Sequence, residues 1–252
     1  VSEIHSGSIG PLLRVEVMYQ FRVLAAGRVV TLPIACEQVV ARLVVEDRPC
    51  PRPALARGSW PDRSDRDAGA LLRRALWRVN RDVPGLLEGD GRQVGLATGV
   101  DIDLAEVQRL SEAVNQGAPP ASAHAVRLLQ GDLLPQWSEP WLEAPRESLR
   151  QVRLHTLESL ARNDLDAGRP VGALLASLAA VGIDPLRESA HRIVISAHLA
   201  EGNVSEAYRH YAQYRDLLWA EMRLRPSARL EGMLSDGAQV LPLGPRRGVL
   251  DA

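Results

Sequence analysis

Lysine is missing altogether: all 30 basic residues of the chain are arginine. Without an ε-amine there is no phosphate-binding loop of the G-x-x-x-x-G-K-[ST] type, no Schiff-base enzyme and no kinase strand lysine. Cysteine is nearly missing too. Cys36 and Cys50 sit in no metal-like spacing and are too few for a disulfide framework, which points to a reduced, cytoplasmic setting. Long apolar runs are also wanting, since the stretch Val39 to Val45 is broken by Arg42 and falls far short of the ~18 residues of a membrane span. No membrane partner is expected, and no secretory signal is visible at the start. The histidines (His5, His124, His155, His191, His198 and His210) form no H-x-x-x-H pattern, so no metal site is expected. No G-x-S-x-G elbow or other catalytic constellation occurs, and the chain reads as a non-enzyme without catalytic residues or cofactor.

What is present is a chain of 252 residues, 46% apolar and 24% charged, enough for one large domain or two ordinary ones. Residues 1–14 read as a mobile lead. Phe21 to Leu24, the turn Ala26-Gly27-Arg28 and Val29 to Leu32 read as a β-hairpin. After Pro33, the spacing of Val39, Val40, Leu43 and Val44 predicts a first helix ending before Pro49, and Ala54 to Trp60 a short second one. Ser64 with Asp67 three residues on reads as the capped start of a third helix, whose inner face is Ala68, Leu72, Ala75, Leu76 and Val79. That helix stops before Pro84-Gly85, and the segment around Gly89-Asp90-Gly91-Arg92 predicts a second hairpin. Strands, three helices and a hairpin follow one another in the order of a winged helix-turn-helix.

Beyond it the pattern is purely helical. Asp103, with Glu106 at the third position, predicts a capped helix ending near Gly117, before the linker Ala118-Pro119-Pro120. Leu165, Gly168 and Ala173 recur 34 residues later as Leu199, Gly202 and Ala207, the period of tetratricopeptide helix pairs. Asp184-Pro185 reads as the cap and first turn of the next helix. Trp137, Trp141, Tyr208, Tyr211, Tyr214 and Trp219 read as packing within this helical half. The expected fold is therefore mainly α. A winged helix-turn-helix domain of the α+β, response-regulator type covers 1–104, and an all-α tetratricopeptide-like domain covers 105–252, with a mobile tail after about 238.

The outer face of the third helix carries the functional signal. Between Arg48 and Arg92 stand 10 arginines and 6 acids, a local excess of +4 in a chain whose net charge is −1. Guanidinium groups bond guanine edges bidentately and pair with phosphates, and a basic hairpin tip suits the neighbouring backbone. Arg66, Arg73, Arg74, Trp77, Arg78, Arg81 and Arg92 are the candidate DNA-binding residues. For Trp77, packing against the second helix competes with stacking on a sugar, and packing is the expectation. A solvated helix face is the bland reading of the arginines. The near-neutral total makes one copy a weak binder, and two copies on direct repeats would compensate.

Gly131-Asp132-Leu133-Leu134-Pro135-Gln136-Trp137, then Trp141-Leu142 and Leu149-Arg150-Gln151, followed by Asp184 to Arg192 and Ala197 to Asn203, resemble the bacterial transcriptional activator domain, the tetratricopeptide-like half of the Streptomyces antibiotic regulatory protein family. Ala75-Leu76-Trp77-Arg78-Val79 is similar to the recognition-helix stretch of the winged helix that precedes it in those regulators. The resemblance implies a cytoplasmic, sequence-specific activator that binds promoter direct repeats in double-stranded DNA. It further implies a homodimer at least on DNA, recruitment of RNA polymerase, and control of antibiotic or other secondary-metabolite gene clusters. It places Arg73, Arg78 and Arg81 at positions that touch the groove or its phosphates. The chain departs from the family at Asn80, where arginine is common, and at Leu71, where a small polar residue is usual. Asp62, Asp65 and Asp67 also acidify the approach to the helix. These departures favour the alternative, a protein-interaction adaptor whose winged helix has lost DNA binding.

Overall fold

The computed structural model describes residues 13–117 and 123–237. The tail expected after about 238 and the linker at 118–120 lie outside the described residues, as does the expected lead apart from Leu13 and Arg14. The chain forms two compact units, one of residues 1–113 and 131–152, the other of 114–130 and 153–252. The architecture is mainly α, a small N-terminal winged helix-turn-helix followed by helical repeats.

In the first unit, β1 (Leu13–Glu16), β2 (Arg22–Ala25) and β3 (Arg28–Val30) form an antiparallel meander, and β7 (Asp101–Ile102) adds in parallel beside β1. Leu13 and Arg14, expected in the lead, are strand because they pair with Ala25 and Leu24. The β2–β3 turn runs through Ala26 and Gly27, both at positive φ, as a two-residue hairpin turn requires. Next come α1 (Ile34–Glu46), α2 (Arg52–Ser59) and α3 (Asp65–Asp82). The residues predicted for the inner faces of α1 and α3 are all buried. Their apolar spacing leaves each helix one side to turn inward. A second sheet, ordered β4 (Cys50–Pro51), β6 (Gln93–Leu96), β5 (Leu87–Gly89), forms the wing. The expected hairpin is β5–β6. The two-residue strands β4 and β7 have no sequence period to announce them.

Asp103 does more than open the expected helix. It opens α4 (Asp103–Asn115) but is only 4% exposed, and its carboxylate accepts the backbone N–H groups of Val17 (2.9 and 3.0 Å) and Met18 (2.9 Å), just past β1. Burial pushes this carboxyl up to about 6 against the pull of those donors. An Asp103→Asn substitution keeps one acceptor oxygen for the two N–H groups and should lower stability by about 1 kcal/mol in urea unfolding at neutral pH. Unchanged stability would mean that the acid is already neutral there.

Trp137 and Trp141, placed by sequence with the helical half, belong to the first unit with the rest of 131–152. Leu133 bridges to Met18, Tyr19 donates its N–H to the Asp132 carbonyl at 2.9 Å, and the rings of Trp137 and Phe21 lie 5.8 Å apart. The Arg42 guanidinium sits 4.3 Å from the ring centroid of Trp141. Arg146 holds the turn by donating to the carbonyl oxygens of Leu133 (2.8 Å), Leu134 and Trp137 (2.7 Å). The Gly131 to Trp137 motif is thus a structural knot. A Cβ at Gly131 would stand 2.7 Å from the Tyr19 ring.

The second unit contains α5 (Ala123–Gln130), the later turns of α6 (Glu143–Asp166), α7 (Pro170–Ile183), α8 (Glu188–Ala200), α9 (Val204–Met222) and α10 (Ala228–Gly237). The 34-residue period is the helix-pair period: Gly168 and Gly202 make the α6–α7 and α8–α9 turns at φ +69° and +74°, while Ala173 and Ala207 are fully buried. Asp184 does not cap α8. It ends α7, and Asp184 to Arg187 forms a turn before α8 begins at Glu188. Ile195, Ala207, Tyr214, Leu218, Leu230 and Leu234 make a core between α8, α9 and α10. Buried Glu158 on α6 accepts from Arg187 (2.6 Å), Arg162 (2.9 Å) and Ser189 (2.5 Å), and despite its burial those partners hold its carboxyl below the usual range. No helix of the described residues is long and apolar enough to cross a membrane.

Candidate nucleic-acid interface

The third helix is positioned by its own cap and core. Ser64 accepts the N–H of Asp67 at 3.2 Å and donates to its carboxylate at 2.7 Å, and Asp65 and Asp67 lie at the positive end of the helix dipole. Because Leu72, Ala75, Leu76 and Val79 turn inward, the opposite side of the 3.6-residue period carries Arg66, Ala70, Arg73, Arg74, Trp77 and Arg81. Trp77 lies at the centre of that outer side and is 61% exposed, so it does not pack against α2 as expected. The same period that buries Leu72 and Val79 points it away. The Arg81 guanidinium covers it at 5.0 Å from the ring centroid. Arg78 stands on the flank, half-buried, rather than on the face.

The wing tip is shaped by Asp90, whose carboxylate accepts the N–H groups of Gln93 (2.8 Å) and Arg92 (2.7 Å). These bonds hold the carboxyl below the usual range. Gly89 turns there at φ +151°, where a Cβ would meet the Gln93 carbonyl oxygen at 2.4 Å. Arg92 is exposed on the tip.

Between α2, α3 and the tip runs a cleft of about 540 Å³, lined by Arg52, Arg57, Arg73 and Arg92 against one carboxylate, Asp65. Asp65 pairs loosely with Arg57 at 3.7 Å, and Arg52 donates to the Asp90 carbonyl at 2.9 Å. The cleft brings together Arg73 and Arg92, which the sequence named. Arg52 and Arg57 were missed, because on a short Pro-bounded helix no period shows which way they face. Arg66, Arg73, Arg74 and Arg92 have no ion-pair partner among the described residues. Such a surface offers planar donors for base edges and phosphates, at a reach set by a rigid helix and a two-stranded tip. Among the described residues no group of histidine, cysteine and carboxylates could hold a metal ion.

Comparison with known proteins agrees with this architecture. Residues 101–235 match the family described as bacterial transcriptional activator domain. The chain is 30% identical over 205 residues to the regulatory protein AfsR of Streptomyces coelicolor, covering 77% of this chain and 20% of that protein. The solved structure of Mycobacterium tuberculosis EmbR in complex with a low-affinity phosphopeptide has the same fold, with a TM-score of 0.69 at 18% identity over 90% of this chain and 65% of that one. The chain thus spans about a fifth of the length of the curated relative. On the match over residues 101–235, the chain belongs to the bacterial transcriptional activator domain family, as its resemblance to the Streptomyces antibiotic regulatory proteins implied.

Proposed function

We propose that this chain is the DNA-binding and helical-repeat portion of a transcriptional regulator, an activator that binds promoter direct repeats. In this reading α3 enters the major groove with Arg66, Arg73, Arg74, Trp77 and Arg81 toward the bases and backbone, and Arg78 at the edge. Arg92 on the wing tip meets the adjacent backbone, and the arginine cleft takes the phosphates between them. The helical repeats hold a second protomer or RNA polymerase, and control of a secondary-metabolite gene cluster is what the resemblance to the Streptomyces antibiotic regulatory proteins implies. The carrying observation is the exposed guanidinium face of α3 beside an arginine-tipped wing, with the cleft joining the two.

Phosphate contacts should appear as salt dependence. Mobility-shift titrations of duplexes selected from a random pool test this, comparing the wild type with Arg73→Ala and Arg92→Ala. Each substitution should weaken binding roughly tenfold at fixed salt and shallow the salt slope by about 1. No retardation of any selected duplex by the wild type at low salt would favour the adaptor reading instead.

A further inference from the structure

The guanidiniums of α3 are held in two ways. Arg66, Arg73 and Arg74 have no carboxylate partner among the described residues, whereas Arg78 and Arg81 converge on one. Asp82, the last residue of α3, accepts from Arg78 Nε at 2.5 Å through Oδ2 and from Arg81 Nε at 2.8 Å through Oδ1. The hydrogen bond from Arg81, then that from Arg78, holds its carboxyl below the usual range. A carboxylate at a helix C-terminus faces the negative end of the dipole, which offsets what its i,i+4 pairing with Arg78 adds, so helix stability alone does not explain a carboxylate that takes both arginines. What it does is fix two long side chains, the second of which also lies against Trp77.

Fixing them by Nε has a geometric result. A guanidinium can meet the O6 and N7 of guanine end-on, with its two Nη groups, or side-on, with Nε and one Nη. With both Nε–H groups given to Asp82, the side-on approach is closed and the Nη pairs are what remain for other acceptors. The carboxylate also offsets part of the charge that would draw Arg78 and Arg81 to any phosphate. We propose that Asp82 is a positioning residue that sets Arg78 and Arg81 for end-on contacts to guanine, raising discrimination among sequences while weakening the sequence-independent grip. This rests on the arginine face being the DNA interface.

The test uses the full chain and two duplexes: the one most enriched by the wild type from a random pool, and a scrambled duplex of the same composition. Asp82→Asn and Asp82→Ser, each checked by circular dichroism and thermal melting, should tighten binding to the scrambled duplex and steepen its salt slope. The ratio of the two affinities should fall about tenfold, the scale of one good bidentate base contact. Arg78→Lys with Arg81→Lys keeps the charge and loses the fork, so it should lower the ratio while preserving the slope. A helix merely destabilised would bind both duplexes more weakly. An unchanged ratio in both Asp82 variants, with wild-type binding intact, overturns the positioning role and leaves the DNA interface standing. Failure of the wild type to enrich any duplex overturns both.

Discussion

Replacing Gly172 by alanine should destabilise the second unit, although helix propensity predicts the reverse. Inside a helix, alanine is better than glycine by about 1 kcal/mol. Gly172 lies in α7, yet a Cβ there would stand 2.0 Å from Asp164 Oδ2 and 2.9 Å from its Cγ. Asp164 cannot simply swing aside. Its side chain is fully buried at the end of α6 and accepts from Arg169 Nη2 at 2.7 Å and Nε at 2.9 Å, while its carbonyl takes the Arg169 N–H at 2.7 Å. Overpacking costs about 1–3 kcal/mol, and displacing a buried carboxylate from its partner costs more. Arg169 is about half exposed, which lessens that second cost, so the net loss should be about 3 kcal/mol by urea denaturation. Asp164→Ala removes the obstacle. On that background Gly172→Ala should become neutral or stabilising, and the double-mutant cycle should show a coupling of about 2 kcal/mol or more. A stabilising effect in the otherwise unaltered chain would refute the collision.

Acid should weaken the same unit through a histidine pair. His191 Nε2 lies 2.8 Å from the Pro185 carbonyl oxygen, which can only accept, so Nε2 carries the proton and Nδ1 is left to accept from His210 Nε2 at 2.9 Å. His191 also stacks on Tyr214 at 4.0 Å. Both nitrogens of His191 are satisfied when the two rings are neutral. Burial, and then the neighbouring His191 and His198, push His210 down from 6.5 to about 4, and burial lowers His191 as well. A histidine with a folded pKa below its unfolded one binds fewer protons when folded. Its contribution is therefore complete above about pH 6.5 and is lost as pH falls toward 4. Allowing for partial solvent access, the loss should be roughly 2 kcal/mol between pH 7 and pH 4. His210→Gln should flatten that part of the stability curve. An equally steep curve in the variant would assign the acid sensitivity elsewhere, with Glu158 as the first group to test.

Repetition and period were readable in the chain. The faces of α1 and α3 follow from 3.6-residue spacing, Ser64 from its cap, and the helix pairs from a glycine that returns after 34 residues. These are local rules, and each acts within a few turns of chain. Burial of a whole segment is not local. Gly131 to Trp137 looked like part of the helical half because it lies among helices in the sequence, yet backbone bonds to Val17 and Tyr19 and the guanidinium of Arg146 place it in the first unit. Asp103, read as a helix cap from Glu106 three residues on, does open α4, but spacing gave no sign that its carboxylate also takes the N–H groups of Val17 and Met18, more than eighty residues away.

The candidate interface divides in the same way. A lysine-free chain leaves guanidiniums as its only strong cationic side chains, and composition alone shows ten of them between Arg48 and Arg92. Helical period then says which of those on α3 share a side. It allows the i,i+4 pairing of Arg78 with Asp82, but it cannot say that Arg52 and Arg57 of a neighbouring helix line a cleft with Arg73 and Arg92, or that Arg81 joins Arg78 on the same carboxylate. Period and composition act along one segment, whereas the cleft depends on where side chains from packed elements meet, and which arginines Asp82 takes within α3 depends on rotamers that spacing alone leaves open.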